Sequence, residues 1–290
     1  MAQFLTRPAK RNTRKLWLRL LKASDRFCRL LTRSSKNRMY DEIAQEAPLT
    51  PVVPDLLLAP RMSLLQPELI EKTIEGMGAL GLHDFISQQF SMPEGTFGRL
   101  TGAVMGLINL LPNKRAIELL DIAEHDDVLE IGFGPGLALR KMSQLARSGR
   151  ITGVDRSPTM FRQAQTRNRA AIQRGRLKLI QGTFECLSLE SASVDKVLAV
   201  NVIYFCSPDG TALAEARRVL RPGGAMSIYA TDCSSMRWLQ FIGPETQQTF
   251  DRKGLEDFLQ RSAFGSDHID IQTVRLPFGF RGLLARLRKR

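Results

Sequence analysis

Val128-Leu129-Glu130-Ile131-Gly132-Phe133-Gly134-Pro135-Gly136 is a short apolar run that ends in three glycines spaced two apart. After it, Leu137–Ala146 resumes at helical spacing, so the stretch reads as a buried strand, a tight loop and a helix. Glycine at these positions lets the chain turn sharply and lets a ligand approach the backbone closely. Open α/β sheets bind their ligands in the crevice outside the carboxyl ends of the strands, and this loop opens the first such crevice.

The same alternation continues downstream. Ile151–Val154, Leu177–Ile180, Val194–Val200 and Met226–Ala230 are short apolar runs bounded by Gly, Asp or Asn. Between them Thr159–Ile172 and Thr211–Leu220 fit helices, and Pro222-Gly223-Gly224 reads as a turn before the fifth strand. A further helix, Arg252–Ser262, leads to Ile269–Val274 and a closing basic segment. Strands alternating with helices predict an open α/β fold, a parallel sheet with helices on both faces.

Upstream the character differs. Residues 1–60 form a basic amphipathic arm and a proline-rich linker, the latter at Ala47–Pro60 with Pro48, Pro51, Pro54 and Pro60. Residues 61–120 read as a helical lead-in or lid, and residues 121–290 as the ligand-binding domain. The net charge of +13 is concentrated at the ends: residues 1–40 carry twelve Lys or Arg against one acid, and Arg281–Arg290 adds five more. The middle of the chain is mildly acidic, so the basicity speaks about what the ends touch. Three readings of the arm stand open. It is a membrane-surface helix whose Lys and Arg meet anionic lipid, an organelle presequence, or a solvated extension ahead of a start at Met39 or Met62.

An apolar share of 43% and a charged share of 24% exclude a wholly disordered, collagenous or coiled-coil chain. No apolar run reaches the ~18–20 residues of a membrane-spanning helix. Cys28, Cys186, Cys206 and Cys233 have no CxxC spacing, which suits a reducing, cytoplasmic compartment.

Two acids flank the glycine loop. Asp155 ends the second strand 19 positions beyond Gly136, where a carboxylate can accept hydrogen bonds from both hydroxyls of a ribose. Glu130 precedes the first glycine by two residues and suits the ammonium of a methionine moiety. The glycine spacing is G-x-G-x-G, with Leu137 where the dinucleotide fingerprint needs glycine. This favours S-adenosylmethionine and leaves an NAD-dependent oxidoreductase as a rival reading.

The run Val128–Gly136, then Gly153-Val154-Asp155, Val194–Val197, Asn201–Phe205 and Val219–Gly224, resembles a class I S-adenosylmethionine-dependent methyltransferase. More narrowly, it is similar to the small-molecule branch that includes the ubiquinone/menaquinone methyltransferases. The resemblance covers residues 88–230 well and the last sixty loosely, while residues 1–60 have no counterpart in it. It implies a Rossmann-like, mostly parallel seven-stranded sheet, and S-adenosyl-L-methionine as the cofactor.

Carried over by position, Gly132, Phe133, Gly134 and Gly136 would cradle the methionine part. Asp155 would hold the ribose, with Arg156 and Met160 near the adenine. Thr183 stands where relatives commonly have an acid, Phe184 could reach the adenine ring through its backbone N–H, and Asn201 would line the cofactor and face the acceptor.

No metal is implied. A general base is required only if the acceptor loses a proton as it attacks. Tyr204 and Asp232, which follow strands four and five, and His83 in the lead-in are the candidates; His125 and His268 precede strands and belong at the opposite edge. Nucleic acid is disfavoured as acceptor. Asn201-Val202-Ile203-Tyr204 lacks the Asn/Asp-Pro-Pro-aromatic loop of base amino-methylating enzymes, and Cys206-Ser207-Pro208 reverses the Pro-Cys order of cytosine-C5 enzymes. The expected function is methyl transfer to oxygen or carbon of a small or lipophilic acceptor. A non-catalytic protein on the same cofactor fold is the other alternative.

Overall fold

The computed structural model describes residues 109–239, 246, 248–276 and 280–290. The basic arm, the proline-rich joint and most of the lead-in, His83 included, lie outside the described residues. All described residues fall within one compact unit, His83–Arg290.

The strands are β1 (Val128–Ile131), β2 (Ile151–Asp155), β3 (Leu177–Gln181), β4 (Val194–Val200), β5 (Leu220–Thr231), β6 (His268–Arg275) and β7 (Arg281–Arg288). They form one sheet in the order β3-β2-β1-β4-β5-β7-β6. Only the two pairings made by β7 are antiparallel. The sheet is therefore Rossmann-like and mostly parallel, with seven strands. Because β2 and β4 lie on opposite sides of β1, the chain reverses its direction of winding there, which opens a crevice at the carboxyl end of β1.

Helices α1 (Leu110–Leu120), α2 (Leu137–Leu145) and α3 (Pro158–Arg167) bury apolar residues on one face, among them Ala116, Leu120, Leu139 and Ala164. On the other face lie α5 (Thr211–Val219) and α7 (Arg252–Arg261), through Leu213, Ala216, Leu255 and Leu259. Two shorter helices, α4 (Arg169–Gln173) and α6 (Cys233–Leu239), complete the described elements. All four residues of β1 are buried. Leu129 and Ile131 join the core under α5 and α7, while Val128 joins the one under α1 and α2. The period of two thus turns Glu130 toward α1 and α2, which is why a carboxylate lies inside the protein.

Local chemistry explains the helix starts. The Ser157 side chain accepts from the Met160 N–H with Pro158 next to it, and Asp251 accepts from the Gly254 N–H. Both are N-caps that satisfy otherwise orphaned amides.

Three expectations need correction. The helix read over Thr159–Ile172 is divided between α3 and α4 at Asn168, whose side-chain amide donates to the carbonyls of Gly136 and Ala164, both at 3.0 Å. The fifth strand begins at Leu220, so Pro222-Gly223-Gly224 is an irregularity within it; the register jumps between the Val194↔Leu220 and Lys196↔Ala225 pairs. The closing basic segment is not a free end. It is β7, inserted between β5 and β6, with Leu283, Leu284, Ala285 and Leu287 buried. Beyond it, the Lys289 Nζ donates to the carbonyls of Arg217 and Leu220 at 2.8 and 2.6 Å. The charge of Lys289 is thus tied to the fold, while Arg281 and Arg288, at the two ends of β7, are exposed.

Candidate active site

The crevice at the carboxyl ends of β1, β2 and β4 is a cleft open to solvent, lined among others by Glu130, Gly132, Gly134, Asp155 and Asn201. Its floor is the loop after β1. Gly132 has φ +71, and a Cβ there would lie 2.6 Å from Val202 Cγ2, so both backbone and space demand glycine. Gly134, at φ +50, has no atom within 4 Å of an added Cβ. That side of the loop is a cradle left clear for a ligand.

Asp155 organises this loop. Its Oδ2 accepts from the Gly134 N–H and its Oδ1 from the Ser157 N–H, both at 2.8 Å. Burial raises its pKa from 3.8 to about 6, against the two N–H donors and the neighbouring Arg156, which pull it down. Each carboxylate oxygen accepts one backbone N–H and retains capacity for a further donor.

Glu130 is 3% exposed and lines the same crevice. Its Oε2 is buried without a hydrogen-bond partner. Burial, then the Asp155 charge, pushes its pKa well above the ordinary value, with a backbone hydrogen bond from Leu139 acting in the other direction. A buried carboxylate oxygen with no partner is costly, and a cationic ligand group would satisfy it.

The adenosine-side residues are partly brought together. Phe133, Arg156, Met160 and Phe184 all line the crevice, with Met160 and Phe184 buried. The Arg156 guanidinium carbon lies 5.5 Å from the centre of the Phe205 ring, a cation–π contact between the ends of β2 and β4. Gly136 and Thr183 are not in the wall. Gly136, at φ +80, faces α3, where a Cβ would lie 2.7 Å from the Asn168 amide nitrogen and 2.8 Å from Ala164 Cβ. Its role is close packing of loop on helix. Thr183 is exposed.

Asn201 lines the crevice in the left-handed region, φ 54. Its Nδ2 donates to Asn109 Oδ1 at 2.8 Å, and its Oδ1 accepts from the Tyr204 hydroxyl at 2.9 Å and from Thr231 Oγ1 at 3.0 Å. Tyr204, one of the base candidates, is therefore corrected. The 3-10 turn Ile203–Phe205 carries it behind the wall, 3% exposed, and burial raises its hydroxyl pKa, the direction opposite to what a general base needs. Asp232 is at the carboxyl edge but outside the crevice lining; its Oδ1 accepts from the Ser234 N–H at 2.9 Å. His83 lies outside the described residues. His268 opens β6 at the opposite edge, as read from the sequence.

Sequence reasoning missed several contributors. Asn109 and Asn113 reach the crevice because α1 packs on the sheet; polar residues opening an amphipathic helix were the only local signal. Phe205 arrives through the turn after β4. Arg167 of α3 donates to the Pro135 carbonyl and clamps the loop from behind, a contact that nothing in its own neighbourhood announces. Among the described residues no cluster of His, Cys, Asp or Glu is arranged to hold a metal ion, and no helix is long and apolar enough to cross a membrane.

A mostly parallel sheet reversing at β1, a glycine loop, an acid ending β2 and a buried acid on β1 with one carboxylate oxygen unpartnered make a crevice suited to an adenosine-type cofactor with a cationic part. The methyltransferase-domain family matches residues 129–228. A Bacillus subtilis (strain 168) methyltransferase, YdaC, itself uncharacterised, is 30% identical over 173 residues, 60% of this chain and 89% of the relative. The malonyl-[acyl-carrier protein] O-methyltransferase of Serratia marcescens is 30% identical over 134 residues, 46% of this chain and 48% of that one. Among solved structures, the methyltransferase in complex with the Haloferax volcanii Trm112 activator superposes with a TM-score of 0.55 at 22% identity, covering 66% of this chain and 93% of that one. The chain belongs to the class I S-adenosylmethionine-dependent methyltransferases. It is a methyltransferase, and the oxidoreductase alternative falls away.

Proposed function

We propose that the β1–β2–β4 crevice holds S-adenosylmethionine and that the enzyme methylates oxygen or carbon of a small or lipophilic acceptor. The observation that carries this reading is the buried carboxylate of Glu130, whose Oε2 has no hydrogen-bond partner, among the residues that line a glycine-loop crevice. When bound, S-adenosylmethionine supplies a methyl carbon already activated by its sulfonium charge. Glu130 would pair with the amino group of the methionine part. Asp155 would accept from the ribose with the capacity its two backbone donors leave. Met160, Phe184 and Arg156 would bound the adenine, and Arg156 over Phe205 would limit water entry.

The titratable groups in the described wall are Glu130, Asp155 and Arg156. All three are assigned to the cofactor, so catalysis is assigned chiefly to proximity and orientation, which can supply about 7–11 kcal/mol. Asp232, one residue past β5, and His83 remain the candidates to face the acceptor. The Serratia relative is named as an O-methyltransferase of malonyl-[acyl-carrier protein], and a malonyl group carries a free carboxylate, which supports trying carboxylic acids first. The test is calorimetric titration of the full chain with S-adenosylhomocysteine, followed by its release assay with carboxylic acid, phenol and hydroquinone acceptors. Micromolar binding and turnover of one class support the reading; a well-folded chain that ignores S-adenosylhomocysteine refutes it.

A further inference from the structure

The carboxamide of Asn201 has its orientation forced from outside the crevice. The backbone N–H of Thr231 can only donate, and it is shared between the Tyr204 hydroxyl and Asn201 Oδ1, 3.0 Å from the latter; the Asn201 atom facing it is therefore oxygen. The hydroxyls of Thr231, at 3.0 Å, and Tyr204, at 2.9 Å, converge on the same oxygen. The amide nitrogen is consequently turned the other way, where it donates to Asn109 at 2.8 Å, and the facing atom of Asn109 must in turn be oxygen. Asn109 takes one of the two amide hydrogens, and the other is available to the crevice that Asn201 lines. Tyr204 and Thr231 are absent from that lining. Tyr204 is nonetheless anchored on both sides, since its hydroxyl accepts from the Thr231 N–H while its one proton goes to Asn201 Oδ1 or to the Thr231 carbonyl, 3.1 Å away.

The position of this amide narrows its ligand. Asp155 ends β2 and Glu130 lies on β1, while Asn201 follows β4, across β1 from the ribose site. A ligand with its ribose at Asp155 and its ammonium at Glu130 directs its amino-acid end toward the β1–β4 side. A carboxylate bonded to the same carbon as the ammonium wants neutral donors close by, and Asn201 and Asn109 bring amides to that side.

We propose that Tyr204 and Thr231 are positioning residues that lock Asn201 as a donor, tying the start of α1 to the β4 side of the crevice and serving the amino-acid end of the cofactor. The inference rests on the cofactor reading above. It is tested by titrating the full chain with S-adenosylhomocysteine and with methylthioadenosine, which shares the nucleoside and thioether but has no amino-acid part. Thr231→Val removes the hydroxyl at nearly constant shape. The backbone N–H and the Tyr204 hydroxyl stay on Asn201 Oδ1, so the amide is loosened rather than flipped; S-adenosylhomocysteine is expected to weaken about threefold to tenfold while methylthioadenosine changes by less than about twofold. Thr231→Ser should restore the affinity, and Tyr204→Phe should act like Thr231→Val. Unchanged binding of both ligands by Thr231→Val overturns the proposal, as does an equal loss of both that Thr231→Ser fails to rescue. A wild-type chain that binds neither ligand overturns the cofactor reading itself, before any variant is compared.

Discussion

Replacing Glu130 by Gln should stabilise the ligand-free enzyme and weaken its cofactor. Glu130 is buried, its Oε2 has no partner, and the Asp155 carboxylate raises its pKa further. Asp155 sets the scale of what this crevice charges an ionised acid. With two backbone donors in its favour its pKa still rises from 3.8 to about 6, which corresponds to about 3 kcal/mol. Glu130 has a single backbone bond, and burial and the Asp155 charge push it in the same direction. The sign follows from linkage. Both acids have folded pKa values raised above their unfolded ones, so their contributions to stability are fully present below the unfolded pKa and are lost as pH rises through the folded pKa.

Gln resembles the protonated acid. Glu130→Gln should therefore match wild type at acidic pH and become more stable than wild type as pH rises, with a correspondingly higher Tm. In the same variant S-adenosylhomocysteine should bind roughly 10- to 150-fold more weakly at pH 8, because a hydrogen bond to a charged partner contributes about 1.5–3 kcal/mol. Thermal unfolding across pH and calorimetry in two buffers of different ionisation enthalpy read both effects; wild type should release a proton on binding and the variant should release less. Wild-type affinity in Glu130→Gln, or a stability difference that does not grow with pH, would refute the reasoning.

Other perturbations separate loop, strand and rim. Gly132→Ala places a methyl against Val202 at positive φ and should cost about 2–4 kcal/mol in thermal unfolding, combining left-handed strain with overpacking; a cost below about 1 kcal/mol would mean that Val202 yields freely. A chain ending at residue 280 loses β7 from between β5 and β6, and loss of cooperative unfolding is expected by circular dichroism and calorimetry. A truncated chain that melts sharply near the wild-type Tm would return the basic end to the status of a tail. Arg217 pairs with Asp267 through contacts of 2.6 and 3.2 Å, and the Asp267 side chain is fully buried while the arginine is 30% exposed. Arg217→Ala should then destabilise by about 2–3 kcal/mol, less than the ~3–5 kcal/mol of a fully buried pair because water reaches the arginine; chemical denaturation measures it, and an effect under ~1 kcal/mol would place the pair with ordinary surface ion pairs.

Much of the fold was legible because its signals are local. The apolar runs at Val128, Ile151, Leu177 and Val194 become strands within a residue of their expected limits, since burial on both faces leaves continuous apolar runs. Glycines at 132 and 134 and acids at 130 and 155 announce a ligand crevice because each residue type answers a backbone or charge requirement of its own position. The closing strand was hidden by composition. Five basic residues in ten mask the buried Leu283, Leu284, Ala285 and Leu287, which become a strand only because β5 and β6 flank them.

Side-chain direction beyond the loops could not be read in this way. Tyr204 and Asp232 both follow a strand, yet a 3-10 turn carries the tyrosine behind the wall while the aspartate stays at the edge. Gly136 belongs with its neighbouring glycines by spacing and with α3 by contact. Asn201 and Asn109 meet across 92 positions of sequence. Local sequence prescribes backbone conformation and burial period, which depend on a few adjacent residues. Which group a side chain meets depends on elements brought together from far along the chain, so the crevice was predictable and the orientation of its walls was decided by packing.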